Sequence, residues 1–417
     1  MRIDVKALAP LGKRRIEWVE RHMPVLMGIR NEMRRNKPLR GLRVGMTLHV
    51  EAKTAALVRT LAAAGAEVAI SGCNPLSTKD EVVAALLSEG INAYAWRGQS
   101  NRDYYANLNR VLDHRPDILI DDGADLITAV HTKRRELLGK IIGACEETTT
   151  GVIRLRAMAR EGKLEFPVIA VNDTPAKRLF DNRFGTAEST LQGIMTATNT
   201  MIAGKEVVVV GYGFVGRGIA SRARGLGAIV TVVETDPIRA LEAAMEGFRV
   251  ETMAQAAPKG DIFITTTGSI NVIRGKHMER MKDGAILANA GHFNVEISRR
   301  DLEGLSVSRR RILEDVEEFR LRNGRRIYLL AEGRLVNLAG RTSLGHPMEI
   351  MDMSFSLQAL CAAHLAKHGK ELEPMVHDVP EEIDRKVAEL KLRALGISLE
   401  KLTPEQVKYA RSWAAGT

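Results

Sequence analysis

Aromatic side chains make up only 4% of this 417-residue chain, too few for the stacking platforms that grip single-stranded nucleic acid. Cysteine is equally sparse. Cys73, Cys145 and Cys361 are far apart and odd in number, which excludes a disulfide framework or a cysteine metal site and reads as reduced, buried thiols. No apolar run approaches the roughly 18–20 residues of a membrane helix. The start, Met1-Arg2-Ile3-Asp4-Val5-Lys6, lacks the apolar stretch of a secretory signal. Internal repeats and low-complexity tracts are missing too. These absences lead to the expectation of a cytoplasmic protein with no membrane partner.

The net charge is +10, but the cations are interleaved with acids. Arg309-Arg310-Arg311, for example, is followed by Glu314-Asp315 and Glu317-Glu318. That is a solvated basic surface, and no nucleic-acid partner is expected. With 45% hydrophobic and 27% charged residues the composition is that of a globular protein. Its length exceeds what one core serves, so two domains and a tail are expected.

What is present begins with Gly211-Tyr212-Gly213-Phe214-Val215-Gly216. It follows the apolar run Glu206 to Val210 and opens a helix-like segment, and a second strand, Ile229 to Val233, ends in Glu234. This is a dinucleotide-binding fingerprint in its required context. Gly211 and Gly213 allow a tight turn and close approach of backbone to a pyrophosphate, and Gly216 lets helix pack on strand. Glu234 stands where a carboxylate receives the ribose 2′-OH, and its charge favours NAD over NADP.

Upstream, helix-like and strand-like segments alternate. Strands are expected at Arg43–Val50, Glu67–Ser71, Asn92–Trp96 and Asp117–Asp121, and helices at Met23–Met33, Lys53–Ala64, Glu81–Glu89 and Tyr104–Asp113. Such alternation predicts a parallel sheet with helices on both faces, whose ligands sit beyond the carboxyl ends of the strands. His49, Cys73-Asn74 and Asp121-Asp122 fall at such ends. A linking helix is expected at Ala187–Ala203, further strands at Asp261–Thr266 and Ala285–Asn289, and a long helix from Gly345-His346-Pro347 to about Lys367. From Pro380 the chain is helical and charged with a loose apolar stripe, either a packing arm for a partner subunit or a solvated helix. Polar clusters stand out at Asp121-Asp122, Glu146 to Gly151, Asn172-Asp173 with Lys177 and Asp181-Asn182, Thr265 to Gly268, and Ala290 to Phe293. Together they offer a lysine, paired carboxylates and two histidines around a nicotinamide, a set suited to proton transfer coupled to hydride transfer.

The stretches Glu146-Glu147-Thr148-Thr149-Thr150-Gly151, Ala243 to Gly247, Thr265 to Gly268, Asn289-Ala290-Gly291-His292-Phe293, Ala331 to Leu338 and Gly345-His346-Pro347 resemble S-adenosylhomocysteine hydrolases. The resemblance runs from about Met23 to about Tyr409. It implies an enzyme of the methyl cycle that reversibly cleaves S-adenosyl-L-homocysteine to homocysteine and adenosine through a transient 3′-keto nucleoside, with NAD as a recycled cofactor. It implies an α/β fold of two doubly wound parallel-sheet domains and a small helical C-terminal segment. The expected division is residues 1–186 for substrate, 187–342 for NAD, 343–380 as a helix returning to the substrate domain, and 381–417 for assembly into a homotetramer. Carried over by motif, Lys177 and Asp181 would handle the 3′-hydroxyl proton, a lysine of lowered pKa suiting the base. Asp122 would take the 4′-proton, Glu147 and Asn182 would orient the ribose end, and His49 and His292 would serve the 5′ side. NAD would be held by Thr148, Thr149, Thr150, Gly211, Gly213, Phe214, Val215, Gly216, Glu234, Arg239, Thr267, Asn289 and Asn337. Glu51, Lys53, His346 and Met351 would contact the substrate, and no metal is expected.

The chain departs from the family pattern in four places. Glu51 and Lys53 replace the usual Thr and Glu or Gln at the purine edge. A lysine donates but cannot accept, so it suits a 6-oxo purine, and S-inosyl-L-homocysteine is the alternative substrate. If Lys53 instead pairs with Glu51, it leaves that edge. Thr186 stands where Cys is frequent, and Arg239 where Asn is. The ending at Gly416-Thr417 lacks the usual Lys- and Tyr-bearing tail, as in archaeal or thermophilic members, and looser NAD retention is expected unless Arg411 or Trp413 substitutes. Two competing readings are a plain dehydrogenase, which would accumulate NADH, and a silent binding relative, against which the full set of site residues argues.

Overall fold

The computed structural model describes residues 3–414; the outermost residues of the expected first and last segments, 1–2 and 415–417, lie outside it. Two sheets organise the chain. The first takes β1 (Arg43–Leu48), β2 (Glu67–Gly72), β3 (Asn92–Tyr94), β4 (Ile118–Asp121), β5 (Gly143–Glu146) and β6 (Val168–Ala170). The second takes β7 (Glu206–Val210), β8 (Ile229–Val233), β9 (Arg249–Val250), β10 (Ile262–Thr265), β11 (Ala285–Asn289), β12 (Ser306–Leu313), β13 (Val316–Leu321) and β14 (Arg326–Leu330). The chain then returns, and β15 (Val376–His377) joins the first sheet beside β6.

The first sheet has the order β15-β6-β5-β4-β1-β2-β3 and is parallel throughout. The second runs β12-β13-β14-β11-β10-β7-β8-β9, parallel except for the antiparallel meander β12-β13-β14 at one edge. The doubly wound α/β expectation holds, extended by that meander. Sequence reading passed over the meander because the Arg/Glu alternation of β12 and β13 looks like a charged loop; Arg310 in fact pairs with Glu318 across the two strands. Within the parallel part of each sheet the strand order reverses once, between β1 and β4 and between β7 and β10. A crevice opens at such a reversal because the crossover helices leave to opposite faces.

The helix Val5–Arg21, with Pro10 inside it, was not among the expected elements. Asp4 caps it by accepting from Ala7 N, and it packs on the helix Asp80–Ser88, with Gly12 against the Glu81 carbonyl. The linking helix spans Thr186–Thr198 and stops at Asn199 in left-handed backbone. The return helix, Met348–His368, packs on β4 and β5. Before it, the crossing segment is pinned from the first sheet: Lys79 Nζ donates to Arg341 O (3.1 Å) and Ser343 O (2.7 Å), and Arg97 to Ala339 O (2.8 Å). No helix among the described residues is long and apolar enough to cross a membrane. Cys73, Cys145 and Cys361 are free and buried.

Asp352 joins three helices. Fully buried, it accepts from Leu26 N (2.9 Å) at the start of the helix Pro24–Asn36 and from Lys391 Nζ (3.0 Å) of the helix Glu381–Ala394. Removing one member of a buried ion pair strands the other, so Asp352→Ala should destabilise the protein by about 3 kcal/mol. A lowered urea midpoint checks this; a parental midpoint would show that the junction contributes nothing.

Candidate active site

The loops after β1, β4 and β5 of the first sheet and after β7, β10 and β11 of the second close on one cavity of about 580 Å³. Both strand-order reversals face it. At one wall Lys177 is buried at the start of a π-helical segment, Arg178–Gly185, which carries Asp181 and Asn182. Widened turns of this kind re-aim side chains and recur at functional sites. Lys177 Nζ donates to Asn182 Oδ1 (2.8 Å) and lies 3.5 Å from Asp181 Oδ1 and 3.6 Å from Glu147 Oε1. The return helix completes the network: Ser354 Oγ donates to Asp181 Oδ2 (2.6 Å), and Gln358 Nε2 to Glu147 Oε2 (2.6 Å). His346 Nδ1 stands 3.0 Å from Asp181 Oδ1 and its Nε2 3.2 Å from Thr186 Oγ1. Ser354 and Gln358 were missed by sequence reading, although two polar residues one turn apart in an apolar helix were the available signal.

The electrostatics correct one expectation. Burial works to lower the Lys177 pKa, but Asp181, Glu147 and Asp122 outweigh it, and the pKa is raised rather than lowered. The side chain is therefore an ammonium, held by its counter-charges. Burial likewise opposes ionisation of Asp181, yet Lys177 and His346 keep it below the usual carboxylate range. Burial pushes Glu147 up to about 8 despite Lys177.

A second polar group lies where β1 and β4 diverge. Asp122 Oδ2 is 3.4 Å from His49 Nε2 and from Cys73 Sγ, and its Oδ1 is 3.5 Å from His292 Nδ1. Ser77 Oγ bonds His49 Nδ1 (2.6 Å), which fixes the ring. Burial lowers the His49 pKa to about 4, so it is neutral at neutral pH. At a third corner, Lys53 Nζ donates to Glu51 Oε2 (2.7 Å) and to Leu344 O (2.9 Å). Glu51 and Lys53 line the cavity together with His346 and Met351.

The opposite wall is the turn Gly211–Phe214 at the head of the helix Phe214–Gly225. Gly211 has φ +102, which only glycine adopts easily. A Cβ on Gly213 would meet nothing closer than Arg239 Nη1 at 3.9 Å, leaving open space beside the helix N-terminus where a pyrophosphate approaches. Burial opposes ionisation of Glu234, but the N–H groups of Asp236, Thr235 and Tyr212, with Arg239 nearby, hold it low. An ionised Glu234 fits a ribose diol and repels a 2′-phosphate, so these residues fit NAD. Thr148, Thr149, Thr150, Phe214, Val215, Arg239 and Thr267 also line the cavity. Three expected cofactor residues do not. Gly216 packs against the carbonyl of Gly211. Asn289 braces the loops instead, accepting from Thr265 Oγ1 (2.9 Å) and Gly291 N (2.8 Å) and donating to three carbonyls. Asn337 is buried between the cavity-lining Leu335 and Leu338, with Oδ1 unpartnered.

Profiles for "S-adenosyl-L-homocysteine hydrolase" and its "NAD binding domain" match residues 2–138 and 182–343. The chain belongs to the S-adenosyl-L-homocysteine hydrolase family. It is a hydrolase of that family with an NAD-binding domain. It is 61% identical over 99% of its length, and 97% of the relative's, to an S-inosyl-L-homocysteine hydrolase of Methanopyrus kandleri. It is 59% identical, at the same coverage, to an adenosylhomocysteinase of Pyrococcus abyssi. A third relative, an S-inosyl-L-homocysteine hydrolase of Methanocaldococcus jannaschii, is 57% identical over 97% of both chains.

Gly213→Val places side-chain atoms in the space beside the helix N-terminus, where a Cβ meets no protein atom closer than Arg239 Nη1 at 3.9 Å. The variant should keep the parental circular dichroism and lose NAD binding by at least about tenfold, since a donor-lined turn that cannot be approached gives up its hydrogen bonds to phosphate. Calorimetric titration of NAD into the stripped protein measures this; parental affinity would remove the turn from the cofactor site.

Proposed function

We propose that this chain catalyses the NAD-dependent, reversible hydrolysis of S-adenosyl-L-homocysteine to homocysteine and adenosine in the methyl cycle. The observation that carries this is the presence, around one cavity, of two separate proton-handling groups: Lys177 with Asp181, Asn182 and Glu147, and Asp122 between His49 and His292. A thioether is a poor leaving group until an adjacent carbanion expels it. Making that carbanion needs proton transfer at the carbinol and again beside the carbon–sulfur bond.

NAD, when bound, accepts a hydride from the 3′-carbon and later returns it, so none is used up. Lys177 and Asp181 hold and move the 3′-hydroxyl proton. The ammonium donates, and the ionised Asp181 is the acceptor that Ser354 and His346 orient. Asn182 and Glu147 fix Lys177 and the ribose edge. Asp122 takes the 4′-proton that the ketone acidifies. His49, neutral and aligned by Ser77, accepts a proton from water at the 5′ side, with His292 as its counterpart across Asp122.

The second reading, S-inosyl-L-homocysteine, requires Lys53 to present a donor to the purine even though it is paired with Glu51. Lys53 uses two of its three N–H donors on Glu51 and Leu344. Glu51 also accepts from Lys53 N at Oε2 (3.1 Å) and from Thr54 N at Oε1 (3.3 Å), which holds it in place. The third Lys53 donor would suit a 6-oxo oxygen, while the pairing with Glu51 is the arrangement in which Lys53 leaves the purine edge, so the adenosyl reading remains the first.

In this reading residues 1–186 and 343–380 form the substrate unit, 187–342 the NAD unit, and 381–417 an assembly segment. A homotetramer is supported by the apolar side chains that the C-terminal stretch exposes, among them Ile397, Leu399 and Leu402. Reduced buried thiols support a cytoplasmic setting.

Thiol release from the two thioethers, side by side with NAD supplied, tests both readings. If Lys53 reads the purine edge, the inosyl substrate should lead in kcat/KM by about two orders of magnitude, and Lys53→Glu should reverse the order. An adenosyl preference unchanged by Lys53→Glu would leave the adenosyl reading alone; no thiol from either substrate would overturn the activity.

A further inference from the structure

We propose that Glu146 and Glu296 are positioning residues that tie the Asp122–His292 pair to the threonine loops at the cofactor end of the cavity. The proposal rests on the roles given above to Asp122 and His292. Neither glutamate lines the cavity, and both are almost completely buried, at 0% and 1% exposure.

Glu146 ends β5 and holds two loops at once. Its Oε2 accepts from Ala124 N (3.0 Å), and its Oε1 from Gly123 N (2.9 Å), both in the turn that follows Asp122. The same Oε1 accepts from Thr148 N (2.9 Å), the first of the three threonines along the cavity. Glu296 repeats the arrangement in the second sheet. It sits in the loop that carries His292 and reaches the loop after β10, accepting from Thr267 N (2.8 Å) and Thr267 Oγ1 (2.6 Å) at Oε2 and from Gly268 N (2.8 Å) at Oε1.

The two clamps meet at His292. Gly123, at φ +104, has no room for a Cβ because the His292 imidazole lies against it. Gly291 has none because the Glu296 carboxylate lies against it. His292 is thus seated between a turn fixed by one carboxylate and a loop fixed by the other. Each carboxylate fixes, at its far side, a threonine loop of the cofactor end. A buried carboxylate with three donors is costly unless every bond is made. Apolar residues would fill the same volume at less cost, so alignment is what this pair supplies.

Glutamine is nearly isosteric but has one acceptor oxygen, so its amide nitrogen would face a backbone N–H. The test uses Glu146→Gln and Glu296→Gln in the full chain, with two readouts: NAD affinity of the stripped protein by calorimetry, and kcat and KM for thiol release. Each variant should bind NAD about tenfold more weakly, and kcat should fall at least about tenfold at unchanged KM, because a lost buried hydrogen bond and a displaced relay act on different quantities. A lowered melting temperature with parental NAD affinity and parental kcat would overturn the proposal. Should Glu296→Gln not fold, Thr267→Val removes one donor of the same clamp, and its parental NAD affinity would overturn the proposal equally. If the parent protein releases no thiol, the activity reading fails, and the NAD titration still decides the clamps.

Discussion

An ammonium buried beside two carboxyl groups is tolerable only when every charge and every lone pair has a partner, and the architecture of this protein is arranged around that requirement. Lys177 supplies the cation, Asp181 the anion and Glu147 a second carboxyl group, and the helix Met348–His368 supplies Ser354 and Gln358 to the oxygens that face away from the lysine. That helix belongs to the far end of the chain. The first sheet and its polar centre are therefore incomplete until the polypeptide has travelled through the second sheet and come back. A network of this kind is strong when complete and costly when broken.

The second organising fact is topological. The parallel part of each sheet reverses its strand order once, and both of these reversals open on the same cavity. One crevice receives a dinucleotide through a glycine turn and a helix N-terminus, and the other presents histidines and carboxylates. The chemistry needs both at once, so bringing two crevices together does what neither sheet could do alone.

Much of this was legible in sequence. The strands Glu206–Val210, Ile229–Val233 and Ala285–Asn289 were read with the bounds they have, because short apolar runs that closely follow a glycine leave little choice. The helix Val5–Arg21 was not read, since its packing against Asp80–Ser88 is a tertiary signal. The meander β12–β14 was missed for the same reason: cross-strand ion pairs look like a charged loop until the strands are paired. The histidines and acids of the site were legible from motifs, but the charge state of Lys177 was not. It depends on three carboxylates at distances that no spacing encodes. Asn289 was assigned to the cofactor because its position matched, while its five hydrogen bonds belong to the loops around it.

Lys53, Lys79 and Arg97 all donate to carbonyls between Ala339 and Leu344, the stretch by which the chain leaves the second sheet. One of the three, Lys53, also borders the cavity. Whatever engages Lys53 there acts on the strap between the two halves of the molecule, and the free energy of that contact is shared with their relative placement. Such sharing runs in both directions. A ligand that draws on Lys53 changes how firmly the strap is held, and a change in the strap changes the affinity for the ligand by the same free energy.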